Sequence, residues 1–321
     1  MTVLVTGGAG YIGSHIVRAF GLAGLETVVV DDLSSGHREF VPDGVTFIDA
    51  TILDQTIMAK AMVEHEIEAV VHLAGFKYAG VSVQRPLHTY EQNVQGTVSL
   101  LQAMHEAEVD KIVFSSSAAV YGTPDVDLVT EATATAPESP YGESKLIGEW
   151  LLRDSARAFP LHHASLRYFN VVGSAVPDLY DSSPHNLFPL VIEALLEGRT
   201  PRINGDDYPT PDGTCVRDYI HVADLADAHV VAAQKLLAGQ RLEPVYNLGS
   251  GEGVSVRQVM TAVAGATGID FEPEIVERRP GDPARIVASG ELASRDLDWT
   301  MRHSIDDMVT SAWRARQDHP V

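Results

Sequence analysis

A tyrosine, a lysine and a run of serines are the residues of this sequence best suited to chemistry. Tyr141 and Lys145 lie four residues apart just after Pro140, so on a helix their side chains would share one face. A serine run, residues 115–117, ends a strand-like stretch upstream. A phenol with a pKa of about 10 becomes a base at neutral pH only where a cation stabilises its phenolate. The pattern predicts that Tyr141 takes a hydroxyl proton with help from Lys145 while Ser117 holds that hydroxyl; the alternative is a surface Tyr–Lys pair beside a serine-rich turn.

Three glycines near the start of the chain point to a dinucleotide. Gly7, Gly10 and Gly13 have the spacing G-x-x-G-x-x-G between a strand-like stretch and a helical one. Such glycines let the backbone approach a pyrophosphate at a helix N-terminus, although an ordinary glycine-rich turn is the alternative. Asp31 and Asp32 end the next strand-like stretch, roughly 20 residues further on, where a carboxylate accepts hydrogen bonds from a ribose diol. Because a carboxylate repels a 2′-phosphate, NAD is favoured over NADP.

The elements that position these residues alternate along the first half of the chain. Strand-like stretches are predicted at residues 3–6, 27–30, 69–72, 111–115 and 162–168, and helices at 12–22, 54–65, 86–105 and 141–157. This rhythm predicts an α/β fold, a doubly wound parallel sheet of the Rossmann type. Beyond about residue 170 the rhythm loosens, with helices predicted at 223–237, 255–266 and 304–316 and strands at 245–248 and 274–276. We expect a dinucleotide-binding domain over 1–172 and a smaller α/β substrate region over 173–321, interlocked with the first.

Composition narrows the class of protein. With 321 residues, 45% hydrophobic and 21% charged, the chain has the composition of a globular enzyme. A net charge of −21 disfavours nucleic acid and anionic membranes as partners. The single cysteine, Cys215, excludes an intramolecular disulfide, and no signal peptide or long apolar run is evident, so a cytoplasmic location is expected. His162 and His163 would point to opposite faces of a strand, and no metal site is expected.

Four stretches together resemble the extended short-chain dehydrogenase/reductase family: residues 6–13 (TGGAGYIG), 114–122 (FSSSAAVYG), 141–145 (YGESK) and 167–170 (RYFN). Residues 212–222 (DGTCVRDYIHV) and 278–282 (RRPGD) resemble the UDP-sugar 4-epimerases of that family. The similarity covers essentially the whole chain. It implies an isomerase that interconverts UDP-galactose and UDP-glucose through a 4-keto intermediate with tightly bound NAD. The alternatives are an epimerase of another UDP-sugar, such as a UDP-N-acetylhexosamine or UDP-pentose, and a non-catalytic NAD-binding regulator.

The same resemblance implies a role for individual residues. Tyr141 would be the catalytic base, Lys145 its partner, and Ser117 the hydroxyl-binding residue. Cofactor-binding residues would be Gly7, Gly10, Tyr11, Ile12, Gly13, Asp31, Asp32, Ser34, Thr51, Ile52, Leu73, Ala74, Lys77, Asn93, Ser115, Tyr141, Lys145 and Tyr168. Substrate-binding residues would be Lys77, Ser117, Tyr141, Asn170, Asn186, Leu187, Asn204, Arg217, Tyr219, Arg279 and Asp282. Family members pair through helices, so the resemblance implies a homodimer formed by the segments 86–105 and 141–157. The alternative is that the same apolar positions belong to the core of a single chain.

Three positions depart from the pattern of the family. Thr51 replaces an aspartate at the adenine, Asn204 replaces an aromatic residue near the uracil, and Ile286 stands where some relatives have a bulky tyrosine beside the sugar. The smaller Ile286 predicts room for an N-acetylated sugar. Dehydratases of the family carry an Asp-Glu pair, and decarboxylases a Glu, where this chain has Ala118 and Ala119. Because alanine has no proton to give or take, epimerisation is favoured over elimination.

Overall fold

A computed structural model describes residues 1–279, 282–317 and 319; Pro280 and Gly281 of the 278–282 stretch lie outside the described residues. The strands are β1 (Thr2–Thr6), β2 (Glu26–Asp31), β3 (Thr46–Asp49), β4 (Ile67–His72), β5 (Lys111–Ser115), β6 (His162–Tyr168), β7 (Asn170–Val172), β8 (Arg202–Asn204), β9 (Val216–Arg217), β10 (Tyr219–His221), β11 (Val245–Leu248), β12 (Val254–Ser255), β13 (Glu274–Val276) and β14 (Arg285–Ile286). The helices are α1 (Tyr11–Leu22), α2 (Gln55–Glu64), α3 (Ala79–Ser82), α4 (Pro86–Tyr90), α5 (Gly96–Glu106), α6 (Pro140–Ala158), α7 (Leu187–Leu196), α8 (Val222–Leu237), α9 (Val256–Thr267), α10 (Glu291–Leu297) and α11 (Ile305–Gln317). Short 3-10 turns lie at Arg38–Phe40 and Ala118–Tyr121.

A central sheet of parallel strands in the order β11-β6-β5-β4-β1-β2-β3 organises the molecule. Successive residues of a strand point to opposite faces, and both faces here are apolar. Val3 and Val5 pack into the core with α1 and α8, whereas Leu4 between them packs into the core with α2 and α5. The predicted doubly wound α/β fold is confirmed.

The C-terminal half of the chain contributes to the central sheet and to a smaller layer. Strand β11, with Tyr246 and Leu248 fully buried, pairs with β6, and α8 packs against α1. Three small sheets, β10–β7, β12–β9–β14 and β13–β8, form the smaller layer. Helices α7, α9 and α11 enclose its own core, which includes Phe188, Met260 and Trp313. The cleft above the carboxyl ends of the central strands therefore lies beside residues from both halves of the sequence.

One local prediction is corrected, and one strand of the central sheet was not predicted. The single helix expected over 86–105 is interrupted by a π-helical turn at Glu91–Gln95, between α4 and α5. This turn buries Asn93, whose amide bonds to Phe76 and Ser144, and such turns are frequent at functional sites. Strand β3 is not evident in the sequence pattern, because it is a short edge strand without buried residues.

Candidate functional site

The glycine cradle, formed by Gly7, Gly10 and Gly13, connects β1 to α1. Gly7 has a φ of +74°, and a Cβ there would lie 2.7 Å from the Ala74 backbone nitrogen. A Cβ on Gly13 would overlap the Gly7 carbonyl oxygen. No side chain caps the start of α1 and no acidic residue lies in its first turn. The first N–H groups of the helix, including those of Tyr11 and Ile12, therefore suit an anionic ligand.

Asp31 lies at the edge of the glycine cradle. Its carboxylate accepts hydrogen bonds from the backbone N–H groups of Ala9 at 3.0 Å and Leu33 at 2.9 Å. Burial raises the pKa of Asp31 above its ordinary value, while those hydrogen bonds and the charge of Lys77 act in the opposite direction. Two carboxylate oxygens have about four lone-pair sites, so Asp31 keeps acceptor capacity for a diol. The exposed Asp32 accepts from the backbone N–H of Ser34 at 3.0 Å.

The other residues predicted to bind the cofactor border the same cleft in different ways. The Tyr11 hydroxyl donates to the Gly173 carbonyl at 2.5 Å, which leaves the backbone N–H of this residue at the helix start. Leu73 and Ala74 are partly buried at the end of β4. Ile52 is buried against Gly96, and the Thr51 hydroxyl accepts from the Leu53 N–H at 3.3 Å. This end of the cleft therefore offers mainly backbone groups.

Asn93 holds the loop after β4 against α6. Its amide nitrogen donates to the Phe76 carbonyl at 3.0 Å and to the Ser144 hydroxyl at 2.8 Å, and its oxygen accepts from the Phe76 N–H at 2.6 Å. Both amide hydrogens are thus engaged within the protein. The residue links the loop that carries Lys77 to the helix that carries Tyr141.

Helix α6 brings Tyr141 and Lys145 to the end of β5. Ser139 caps the helix by accepting from the Gly142 N–H at 3.2 Å, and Pro140 occupies its first turn. The Lys145 ammonium donates to the Ser115 carbonyl at 2.9 Å and lies 5.9 Å from the centre of the Tyr141 ring. The Ser117 side chain lies near enough to the Tyr141 hydroxyl to lower its pKa, against the larger rise that burial causes. The predicted tyrosine, lysine and serine therefore meet at one point of the cleft.

The pKa of Tyr141 differs from the expectation that Lys145 would lower it. Burial raises the pKa of Tyr141, and the nearby Ser117 side chain acts in the opposite direction. Burial lowers the pKa of Lys145 to about 8. In the protein alone, desolvation outweighs the stabilisation of a phenolate. A further positive charge beside the ring would be needed to make Tyr141 acidic.

A buried histidine that the sequence patterns did not reveal contacts Ser115, next to this centre. His229 of α8 lies 2.8 Å from the Ser115 hydroxyl and 2.9 Å from the Leu225 carbonyl. Burial lowers the pKa of His229 to about 4, so the imidazole is neutral at pH 7. Its ring lies edge-on to Tyr168, which borders Tyr141. Only a lone histidine marks this position in the sequence, which is too weak a signal.

The arginine clamp, formed by Arg217, Arg279 and Asp282, belongs to the C-terminal half of the chain. Arg217 pairs with Asp282 at 2.5 Å between Nη2 and Oδ1. Arg279 is exposed, and it lies near enough to Cys215 for its charge to oppose the rise in thiol pKa that burial causes. Tyr219 is buried on β10 beside this group. The clamp thus collects two guanidinium groups on a strongly acidic protein.

The remaining predicted substrate residues lie on separate elements. Asn170, exposed on β7, donates to the Asp218 carbonyl at 2.9 Å. Asn186 precedes α7 and donates to Asp181 at 2.9 Å, and Leu187 begins that helix. Asn204 ends β8, paired with β13. Leu187 also packs against the core of the smaller layer. Among the described residues, no hydrogen bond or ion pair joins Asn186, Leu187 or Asn204 to the clamp.

Within residues 1–279, 282–317 and 319, no group of three or more His, Cys, Asp or Glu side chains is arranged to hold a metal ion. Over the same residues, no helix is both long and apolar enough to cross a membrane.

The chain matches known proteins over its whole length. Residues 3–249 match the NAD dependent epimerase/dehydratase family. The chain belongs to this family. A UDP-glucose 4-epimerase from Azospirillum brasilense is 42% identical, covering 97% of this chain and 90% of the relative. The resemblance predicted from the motifs, and dependence on NAD, are confirmed.

Solved structures of similar proteins agree with this family membership. A UDP-glucose 4-epimerase from Stenotrophomonas maltophila, solved with NAD and formylated UDP-arabinopyranose, is 42% identical with a TM-score of 0.94, covering 99% of this chain and 98% of that one. One from Brucella ovis, in complex with NAD, is 38% identical with a TM-score of 0.93 and covers 97% of each chain. The epimerase fold is therefore shared across both the sheet and the smaller layer.

Proposed function

We propose that this protein interconverts UDP-galactose and UDP-glucose through a 4-keto sugar, using tightly bound NAD. The observation that carries the proposal is the meeting of Tyr141, Ser117 and Lys145 at the carboxyl end of the central sheet. The relatives named UDP-glucose 4-epimerase, about two fifths identical over nearly the whole chain, supply the reaction class.

The residues of the cleft fit a dinucleotide. The glycine cradle has no space for side chains at Gly7 or Gly13, and the uncapped start of α1 suits a diphosphate. Asp31 and Asp32 suit a ribose diol and disfavour a 2′-phosphate. When bound, NAD would supply hydride acceptance and return at one sugar carbon. We propose that the remaining ligands are Tyr11, Ile12, Ser34, Thr51, Ile52, Leu73, Ala74, Lys77, Asn93, Ser115, Lys145 and Tyr168.

The protein itself would move one proton. Tyr141 takes the proton from the 4-hydroxyl as the carbon–hydrogen bond of that carbon gives up a hydride, which leaves a carbonyl. Ser117 holds the hydroxyl oxygen in line with the phenol oxygen. Because burial raises the pKa of Tyr141, the ammonium of Lys145 and the positive nicotinamide ring must together favour its phenolate. Return of a hydride to the opposite face of that carbon, with return of the proton from Tyr141 to its oxygen, would give the epimer.

The neighbouring side chains favour this reaction over elimination. Ala118 and Ala119 occupy the 3-10 turn that follows Ser117. Neither can protonate a leaving hydroxyl or abstract a second proton. A keto sugar formed here would have no partner for dehydration from these positions, so its chemical outcome is reduction.

The nucleotide end would be held by the arginine clamp. Arg217 and Arg279 provide donors for a diphosphate, since guanidinium groups bind phosphate oxygens in pairs. Asp282 is suited to accept hydrogen bonds from a ribose. We propose that Lys77, Asn170, Asn186, Leu187, Asn204 and Tyr219 complete the substrate site. A nucleotide fixed at this end allows the sugar to present either face.

One position favours a wider substrate range. Ile286 is partly buried and packs beside Val120, Tyr121 and Leu146. Its side chain is smaller than a tyrosine, so an N-acetyl group would find space there. Turnover of UDP-N-acetylgalactosamine, measured beside UDP-galactose, tests this second candidate substrate. Absence of detectable activity on the N-acetylated sugar would restrict the enzyme to simple hexoses.

The decisive experiment incubates purified protein with UDP-galactose and measures UDP-glucose, with and without added NAD. Bound cofactor is identified in the same sample by denaturing the protein and analysing the released nucleotide. We expect UDP-glucose and NAD. Absence of product with every UDP-hexose and UDP-pentose, despite bound NAD, would instead support a non-catalytic regulator.

We also propose a homodimer formed through α5 and α6. Their outer surfaces create an apolar groove lined by Val98, Leu101, Leu151 and Phe159, and Trp150 beside it is 46% exposed. A second copy with the same groove would bury these side chains. Light scattering should give twice the mass of one chain, and Trp150→Glu should give monomers. Leu22→Glu, which changes an exposed leucine on α1, is the matched control and should remain dimeric.

Two further parts of the proposal concern location and organisation. A cytoplasmic location is supported by the single cysteine, which fits a reducing compartment, and cell fractionation tests it. We also propose the division into 1–172, mainly for NAD, and 173–321, mainly for the nucleotide sugar. The interlocking of the two is supported by β11 and α8, which pack on the sheet of the first part.

A further inference from the structure

A buried carboxylate, Glu149, contacts the middle residue of the serine run. The Ser116 hydroxyl donates to Glu149 Oε1 at 2.5 Å, and the Ser116 backbone N–H donates to the Leu166 carbonyl at 2.9 Å. Ser116 is fully buried and Glu149 is 7% exposed. Neither side chain reaches the cleft where Tyr141 and Ser117 meet, and the proposed reaction assigns them no role.

Helical spacing places Glu149 in line with the two reacting residues of α6. Tyr141, Lys145 and Glu149 are each four residues apart, so they occupy one face of the helix over successive turns. Lys145 donates to the backbone carbonyl of Ser115, and Glu149 accepts from the next residue, Ser116. Two adjacent hydrogen bonds thus fix α6 in register with the serine run, and Ser117 is the residue that follows.

The charge of Glu149 is neutralised by a network of satisfied groups. Arg167 of β6 donates to both carboxylate oxygens, from Nε at 2.8 Å and from Nη2 at 2.5 Å. Its Nη1 donates to the Tyr121 hydroxyl at 2.8 Å, which donates to Asn247 Oδ1 at 2.7 Å. A buried ion pair contributes little net stability because desolvation offsets its attraction. Its fully bonded geometry does restrict where Glu149, and therefore Ser116, can lie.

We infer that Ser116 and Glu149 are positioning residues that set the distance and alignment between the Ser117 hydroxyl and the Tyr141 phenol. This inference rests on the proposed epimerase activity, because it assigns the network a role in that proton transfer. Proton transfer requires hydrogen-bond distance between the groups, and small misplacements reduce rates strongly. The network acts through the backbone of the serine run, so it leaves the glycine cradle and the arginine clamp unchanged.

The test compares two serine-to-alanine variants. Ser116→Ala removes the hydrogen bond to Glu149. Ser165→Ala removes a fully buried hydroxyl of β6 that has no hydrogen-bond partner in the described part of the chain. For Ser116→Ala we expect kcat to fall by about tenfold to a hundredfold with KM and bound NAD unchanged, and the pH dependence of kcat to shift. For Ser165→Ala we expect wild-type values.

A second variant, Glu149→Gln, keeps the shape of the Glu149 side chain and removes its charge. Glu149→Gln should lower kcat in the same way, and adding Ser116→Ala to it should cause little further loss, because both changes interrupt one interaction. A lower unfolding temperature with unchanged kcat and pH profile in Ser116→Ala would overturn the inference, since it would indicate a purely structural role. Should Glu149→Gln fail to fold, Ser116→Ala alone decides.

A readout without substrate separates this inference from the proposed function. Hydrogen exchange followed by mass spectrometry should show faster exchange of residues 117–121 and 141–146 in Ser116→Ala, and no change in Ser165→Ala. If wild-type protein epimerises no UDP-sugar, the proposed function fails while this measurement still tests the positioning. Unchanged exchange in Ser116→Ala would contradict the positioning role whatever the activity.

Discussion

The glycine cradle and the arginine clamp are built by different means. The cradle lies within seven residues of sequence and depends on backbone atoms, which approach so closely that Gly13 has no space for a Cβ. The clamp depends on side chains, and its two paired members, Arg217 and Asp282, are 65 residues apart. The first is fixed by covalent geometry and the second by tertiary packing. We therefore expect the cradle to tolerate no added atom and the clamp to respond in proportion to lost charge.

The largest expected effect is at Tyr141, because the proton transfer is assigned to this residue and not to the cradle or the clamp. Tyr141→Phe should lower kcat by at least about a hundredfold, because it removes the general base. Bound NAD and KM should change little. Tyr90→Phe is the matched control, since the Tyr90 hydroxyl also contacts α6, through Glu143. Near-normal turnover in Tyr141→Phe would contradict the assignment.

The next effect concerns the clamp and should appear in KM. Arg217→Ala removes a guanidinium that is expected to bind the diphosphate, and KM for UDP-galactose should rise about tenfold to a hundredfold, as for a lost charge-assisted hydrogen bond. Arg202→Ala, which removes an exposed arginine paired with Glu274, should leave KM unchanged. An effect of Arg217→Ala on kcat alone would show that the clamp does more than anchor the nucleotide.

Helix α1 carries one glycine of the cradle, Gly13, and one outside it, Gly21, which serves as the matched control. Gly13→Ala should destabilise the protein by about 1–3 kcal/mol through overpacking, and it should reduce NAD retention. Gly21→Ala, also on α1, meets no described atom within 4 Å and should stabilise slightly, because alanine favours helix. Urea unfolding and released nucleotide measure both effects. Equal behaviour of the two variants would refute the close-packing argument.

The smallest effect concerns a buried histidine that joins α1 to the segment after β7. His15 of α1 lies 2.8 Å from the Tyr11 carbonyl and accepts from the Ala175 N–H at 3.2 Å. Burial lowers the pKa of His15 to about 4 from an ordinary 6.5. Below pH 6.5 the unfolded chain therefore binds a proton at His15 that the folded chain does not bind. The free energy of unfolding falls as the pH drops toward 4. The slope is at most about 1.4 kcal/mol per pH unit.

Removing that histidine should remove its share of the acid sensitivity. The free energy of unfolding of His15→Gln, measured in urea between pH 7 and 4, should fall less steeply than that of wild type. His162→Gln changes an exposed histidine and should keep the wild-type slope. Parallel curves for His15→Gln and wild type would show that His15 is protonated equally in both states.

Much of the fold could be predicted because its cause is local. The strands at 111–115, 162–168 and 245–248 match β5, β6 and β11 residue for residue. Among them, 111–115 (KIVFS) is rich in the β-branched and aromatic residues that favour strands. The π-helical turn around Asn93 could not be predicted, because the contacts that favour it come from Phe76 and Ser144, elsewhere in the chain. Strand β3 was missed because it is short and none of its residues is buried, so its sequence has no apolar pattern.

The sequence by itself determined the glycine cradle, the carboxylates after β2 and the helical spacing of Tyr141 and Lys145, because each follows from the geometry of a few consecutive residues. Only the tertiary structure decided that Ser117 meets Tyr141, that Arg217 pairs with Asp282, and that Glu149 lies under the serine run. These contacts join residues from different strands and helices. Their distances depend on how the whole sheet and its helices pack, which no local pattern encodes.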